Sequence, residues 1–209
     1  MGLSLITAPA AEPITLAEAK AHCRVDFNDD DALIFGLIVT MRQRAEAITR
    51  RALIAQQWRY TTDAFPTGAL ITRQWRFATN TAPYGQLALP KPPLISVDSV
   101  KYLDAAGVLQ TLAPSAYDVH AEELMGSIVP VYGTTWPDTR SQLGAVQVDF
   151  TAGYASAAAV PQAIKSWMLC YIAAAYENRA STITGRSISA IDLPFVDALL
   201  DDYLVDAAL

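Results

Sequence analysis

The chain has 209 residues, an apolar share of 52% and a formal net charge of −6. A chain of this size hides about 70% of the surface it exposes when unfolded, so it can build a core without disulfides or metal. The charge argues against a protein that grips nucleic acid by neutralising phosphates; the short apolar runs cannot span a bilayer; and the opening MGLSLITAPAAEP lacks the basic and apolar regions of a signal peptide.

Taken in chain order, Thr15 to about Arg24 reads as a first helix. Thr15 and Glu18 form a T-x-x-E capping box, and Ile14 just before it is placed to staple against Ala19. The run VDFNDDDA then breaks the helix and caps the next, about Asp30 to Arg51. There Leu33, Leu37, Met41 and Ile48, with Ile34, Ile38 and Ala45 beside them, make one apolar stripe. Asp29, Asp30 and Asp31 suit the positive end of its dipole, and Arg50 and Arg51 the negative end.

From Gln56 the apolar period becomes two, as Trp58, Tyr60 and Thr62 alternate with Arg59, Thr61 and Asp63. Further strands are expected at Leu70–Phe77, Gln86–Leu89, Ile95–Leu103, Val108–Leu112, Tyr117–His120, Ser127–Val131 and Ala145–Phe150. The segment DAAG reads as a hairpin turn closed by Gly107, PKPPL as a rigid extended turn, and Gly153 as a turn or bulge residue. Pro161 opens a long, almost all-round apolar helix to about Arg179, carrying Ile164, Met168 and Ile172 flanked by Trp167, Leu169 and Tyr171. ASTITGRSISA is polar and glycine-containing and reads as a mobile linker. Asp192 then caps a short amphipathic helix with Phe195, Leu199 and Tyr203 on it and Val196, Leu200 and Leu204 alongside.

The fold class expected from this order is α+β: a helical core with an inserted antiparallel β-rich domain and a flexible C-terminal tail. The expected divisions are 1–54 for the N-terminal helical part of the core, 55–155 for the β-rich insertion, 156–181 for the long core helix, and 182–209 for linker and C-terminal docking helix.

Catalytic chemistry is hard to find. His22 adjoins Cys23, but helical neighbours point about 100° apart and cannot act as nucleophile and base for each other. A pair of His120 and Cys170 is conceivable, yet nothing local supports it; no catalytic residue is expected, and Cys23 and Cys170 read as buried thiols of a reducing environment. Metal-ligand spacings, phosphate-binding glycine loops and nucleophile elbows are missing from the sequence, so neither metal nor cofactor is expected. Arg42, Arg44, Arg50 and Arg51 read as a solvated helix face, with Arg42 and Glu46 at i,i+4. Arg59, Arg73 and Arg76 among Trp58, Tyr60, Trp75 and Phe77 could stack single-stranded bases, a weaker reading in an acidic chain. The last segment is the more telling one. A short helix with an apolar face on a flexible tether either packs back on its own domain or docks on a partner. The docking reading names Phe195, Val196, Leu199, Leu200, Tyr203 and Leu204.

Several blocks then resemble one family in its own order: ITLAEAKAHCRVDFNDDDALI, ITRRAL, QQWRYTTDAFP, LPKPPLISVDSVKYLDAAG, VDFTAGYA and YENRAS, spread over about residues 12 to 181. Together they are similar to the phage head–tail connector (adaptor) family, found in siphophages and in gene transfer agents, which are domesticated phage particles. The resemblance implies a non-enzymatic structural protein: a ring of subunits, usually twelve, docked beneath the portal of a virion or phage-like particle assembled in a bacterial cytoplasm. It implies the portal and a tail-terminator or stopper protein as partners, and a channel that conducts DNA without specific binding. The tail from Ile183 to Leu209 would reach the portal. Another neck or tail-completion protein of the virion is the alternative, and a single-strand-binding module a more distant one.

Overall fold

The computed structural model of the chain describes residues 2–66, 85–121, 125–178 and 194–205. It separates into two compact units. One joins 11–54 to 154–205 and its described residues are helical; the other joins 1–10 to 55–153 and 206–209, and its described residues are built into strands. The expected mixture of helices and antiparallel sheets is what the chain adopts. The strand reading of Leu70–Phe77 and the linker reading of ASTITGRSISA lie outside the described residues.

In the helical unit, α1 spans Leu16–Cys23 and starts on the expected capping box. Thr15 Oγ1 accepts from the Glu18 N–H at 3.2 Å, and the Glu18 carboxylate accepts from the Thr15 N–H at 2.7 Å. Those bonds from the Thr15 backbone and hydroxyl hold the Glu18 carboxyl below the usual carboxylate range. Ile14 and Ala19 are both buried in one cluster, as the staple requires. Helix α2 spans Asp31–Thr49, and α3 spans Gln162–Glu177 with Pro161 at the position before its first turn. Their buried residues, among them Ile34, Ile38, Ala45, Ile164, Trp167, Met168 and Ile172, form a single core with Ile14, Leu53, Val160 and Leu200.

Three expectations about α2 need correction. The centre of its buried face is Ile34, Ile38 and Ala45, whereas Leu33 is 40% exposed. Arg42 and Glu46 do not stand on a solvated face; they are buried on the same side as Ile38. Arg42 Nη1 donates to Glu46 at 2.9 Å and its Nε to Glu12 at 2.8 Å, while the other Glu46 oxygen accepts the Leu53 N–H at 3.0 Å. Periodicity assigns charged residues to solvent, and only tertiary partners reverse that. The aspartates before α2 are also employed differently. Asp30 makes no side-chain cap bond; its carboxylate accepts the Tyr176 hydroxyl at 2.6 Å, and Asp31 takes Lys20 Nζ at 2.6 Å.

Among the described residues the β unit holds eight strands: β1 Gly2–Thr7, β2 Gln56–Thr62, β3 Leu87–Leu89, β4 Leu94–Leu103, β5 Leu109–Thr111, β6 Tyr117–Ala121, β7 Gly126–Pro130 and β8 Val146–Ala152. They pair into a five-stranded sheet, order β1-β2-β8-β4-β5, and a three-stranded one, β3-β7-β6, every pairing antiparallel. The strand β1 has no counterpart among the sequence expectations. Buried Leu87, Leu89 and Ile128 come from the small sheet, and Val100, Val146, Val148 and Phe150 from the large one. The sheets meet closely where Gly126 faces Leu94: a Cβ there would come within 2.5 Å of the Leu94 Cβ. The turn between β4 and β5 is the expected one, with Gly107 at φ +84° and the Asp104 carboxylate accepting the Ala106 and Val108 N–H groups at 3.0 and 2.9 Å.

Candidate functional site

The C-terminal segment comprises one helical turn, α4, Pro194–Asp197, followed by a tighter 3-10 stretch over Ala198–Tyr203. It rests on the helical unit through named anchors. Asp197 Oδ1 accepts from Trp167 Nε1 at 3.0 Å and from the Tyr171 hydroxyl at 2.7 Å. Arg51 is buried, and its Nε donates to the Tyr203 carbonyl at 2.8 Å; the Val205 N–H donates to the Thr49 carbonyl at 3.2 Å. The expected role of Arg51 as a solvated complement to the helix dipole is therefore replaced. Its guanidinium satisfies a carbonyl at the other end of the chain, a long-range bond that no local pattern could indicate.

The six residues named for docking part company here. Leu200 is 2% exposed and belongs to the core, and Val196, Leu199 and Tyr203 pack against it half-buried. Phe195 is 84% exposed and Leu204 48%. Leu204 lines a groove of about 680 Å³ together with Met41, Arg44, Ile48, Trp167, Tyr171 and Asp201 among others. A free phenyl ring on the same segment as Asp197, Leu200, Asp201 and Leu204, which line this mixed apolar and charged groove, makes a surface that can seat or be seated.

In the β unit the large sheet has two unlike faces. Strand alternation puts Trp58, Tyr60, Val148, Phe150 and Val100 on one face. The other is a polar ladder. Arg59 grips Asp149 with two bonds, 2.7 and 2.9 Å, which hold the Asp149 carboxyl below the usual range. Next to it Asp98 accepts from Gln57 at 2.9 Å, Thr151 at 3.1 Å and Ser96 at 3.0 Å. Arg59 is thus neutralised on the face opposite Trp58 and Tyr60, which removes it from any base-stacking platform; Arg73, Trp75, Arg76 and Phe77 lie outside the described residues.

The groups weighed for catalysis remain scattered. His120 is exposed on β6 and His22 exposed on α1, while Cys170 is partly buried on α3 in the other unit from His120. Burial, and then the nearby Glu177 carboxylate, raise the Cys23 thiol above its ordinary range, so it is a poor thiolate. Among the described residues no group of three or more His, Cys, Asp or Glu is arranged to hold a metal, and no helix is long and apolar enough to cross a membrane. What the surfaces offer is shape, exposed apolar side chains and strand edges, the equipment of an assembly protein.

Comparison with known proteins defines that class further. Residues 13–79 match the family model described as phage gp6-like head–tail connector protein. The whole chain matches the neck of an empty gene transfer agent particle resolved with C6 symmetry, at 25% identity and a TM-score of 0.76, covering 100% of this chain and 98% of that one. The neck of a native particle resolved with C12 symmetry matches at 25% identity and a TM-score of 0.71 over the same shares. A chain of the native gene transfer agent virion has the same fold, with 24% identity and a TM-score of 0.75. No curated protein matches. The resemblance read from the sequence is confirmed: the chain is similar to the head–tail connector family in sequence, and to gene transfer agent neck chains along its full length.

Proposed function

We propose that this chain is a structural head–tail connector: a subunit of a ring in the neck of a phage or phage-like particle that extends the DNA channel and offers the surface on which the tail is completed. The observation that carries the reading is the fold correspondence with a gene transfer agent neck chain over the whole length of both chains. The family match over 13–79 favours a connector over another neck or tail-completion protein. In this reading the helical unit is a core interrupted by the β insertion, and its work is fit rather than turnover.

Ring neighbours present different patches to one another, so each copy needs two complementary surfaces. The portal would take the C-terminal segment, with Phe195 and Leu204 as the groups still free to insert; Leu200 and its half-buried neighbours set the pose of those two. A net charge of −6 suits a channel that lets DNA pass, because an acidic wall repels phosphates. Deleting the gene is expected to give DNA-filled heads without tails by electron microscopy, and restoring it to give tailed particles. Tailed, infectious or DNA-transferring particles from the deletion would overturn the proposal. Cross-linking of Phe195→Cys to the portal separates the connector from a protein one ring further down.

A further inference from the structure

The two ends of the large sheet pose a problem that the described residues do not solve alone. Strand β1 is an edge, and all six of its residues are exposed, with Leu3 at 38%, Leu5 at 46% and Ile6 at 45%. Strand β5 is the opposite edge, and its three residues are exposed too, with Leu109 at 53%, and Val108 just before it is 55% exposed. Neither stretch carries a charged side chain: there is none from Gly2 to Ala10, nor from Ala105 to Tyr117. Soluble proteins protect free edges with lysine, proline, bulges or covering segments, because the unpaired N–H and C=O groups capture other chains. Here a bulge at Ile6 disturbs only the far end of β1, and Gly2–Leu5 pair with β2 in regular register.

Geometry selects what could cover these edges. Four successive antiparallel ladders separate β1 from β5, so the two edge strands run in the same direction. A two-fold pairing of β1 with β1 would be antiparallel, would stop at two copies and would leave β5 bare. Neighbours in a ring are related by a modest rotation that preserves strand direction, so a β5-to-β1 joint is parallel and repeats from copy to copy. The lengths agree. Bonds from the Leu112 N–H to Val100 and from the Asp104 N–H to Val108 hold Val108–Leu112 extended along β4, five residues against the six of β1. The faces agree as well: alternation places Val108 and Leu112 on the Tyr102 side of the sheet, the side on which Leu3 and Leu5 stand.

We propose that β5 of one copy adds β1 of the next as a parallel strand, so that the five-stranded sheets continue from subunit to subunit around the ring. This rests on the connector reading, which supplies the ring. The test is made in assembled particles. In a Cys23→Ser, Cys170→Ser background, single cysteines at Leu3, Ser4 and Leu5 are combined in turn with cysteines at Leu109, Gln110 and Thr111, and particles are treated with a short bis-maleimide. At least one register is expected to give a ladder of covalent multimers on a denaturing gel. Leu5→Lys is expected to raise the subunit concentration needed for ring formation by about tenfold or more while leaving the melting temperature of the free subunit unchanged. Intact rings by electron microscopy that stay monomeric on the gel in all nine combinations, or a Leu5→Lys protein that assembles normally, would overturn the edge joint and leave the connector reading standing. Necks that contain this chain in no ring at all would end both.

Discussion

The helical unit and the β unit handle their awkward groups in opposite ways. The helical unit takes charge inside and answers it there: Arg42 has Glu12 and Glu46, and Arg51 has the Tyr203 carbonyl. Its backbone is bonded along its own helices, so exposed Leu33 and Phe35 on α2 can offer a partner side chains only. The β unit pairs Asp149 with an Arg59 whose side chain is 41% exposed, and among the described residues it leaves two sheet edges without a further strand and with apolar side chains. In the proposed ring the helical unit needs no neighbour for its helical backbone, whereas the sheet of the β unit is continued by a neighbour's strand. In a protein that works by assembly, that division separates the part that supplies stability from the part that can be claimed by a neighbour.

The comparison breaks most readily at Trp167, which is 1% exposed and bonded to Asp197. Trp167→Ala is expected to cost about 3–5 kcal/mol, the range for emptying a large aromatic site. A urea titration followed by far-ultraviolet circular dichroism would read this, and a loss under 1 kcal/mol would mean that the helical core does not close as described. Glu46→Ala comes next, at about 3 kcal/mol. It strands the buried Arg42 guanidinium beside Glu12 alone and leaves the Leu53 N–H without its acceptor. Replacing Arg42 and Glu46 together with Met and Leu should recover much of that loss, which the same titration would show.

The two units also differ in how far the sequence discloses them. Local rules are sufficient for α1, whose capping box needs only residues three apart, and for the β4–β5 turn, which needs one aspartate and one glycine. They are sufficient for the described strands from Gln56 onward, such as β2, where apolar and polar residues alternate. They fail wherever a residue's partner lies far along the chain. Glu12 reaches Arg42 across 30 positions and Arg51 reaches Tyr203 across 152, so neither burial can be read from a helical wheel. The strand β1 escapes for another reason. GLSLIT is short and does not alternate strictly between apolar and polar residues, so its uncharged run ending before Pro9 is only a weak strand signal.

The docking segment sharpens the comparison at a smaller scale, because it holds one residue of each kind. Leu200→Ala should cost about 2 kcal/mol, at the low end of the range because a short segment can settle into the space left. Phe195→Ala should change stability by less than about 0.5 kcal/mol, since its ring is solvated already. If Phe195 is a docking anchor, the second variant nonetheless loses tailed particles. A Phe195→Ala protein that is equally stable and equally productive in complementation would restrict the segment to its own unit.

The smallest effect tests whether water reaches the ion pair of the β unit. Asp149 holds Arg59 by two bonds, but the Arg59 side chain is 41% exposed, so solvent screens the pair and Asp149→Asn should cost under about 1 kcal/mol at neutral pH. The sign with pH follows from the lowered carboxyl. A carboxyl that is harder to protonate folded than unfolded stabilises the fold above the unfolded value of about 3.9, and that contribution disappears as pH falls through the lower folded value. The gap in urea midpoint between wild type and Asp149→Asn should therefore be constant above about pH 5 and shrink steadily in more acid buffer. It should also narrow as salt is added at pH 7, as it would for an ion pair in contact with water. A gap that ignored both acid and salt would mean that Asp149 acts by packing, and that the β unit, like the helical one, had closed its charges away.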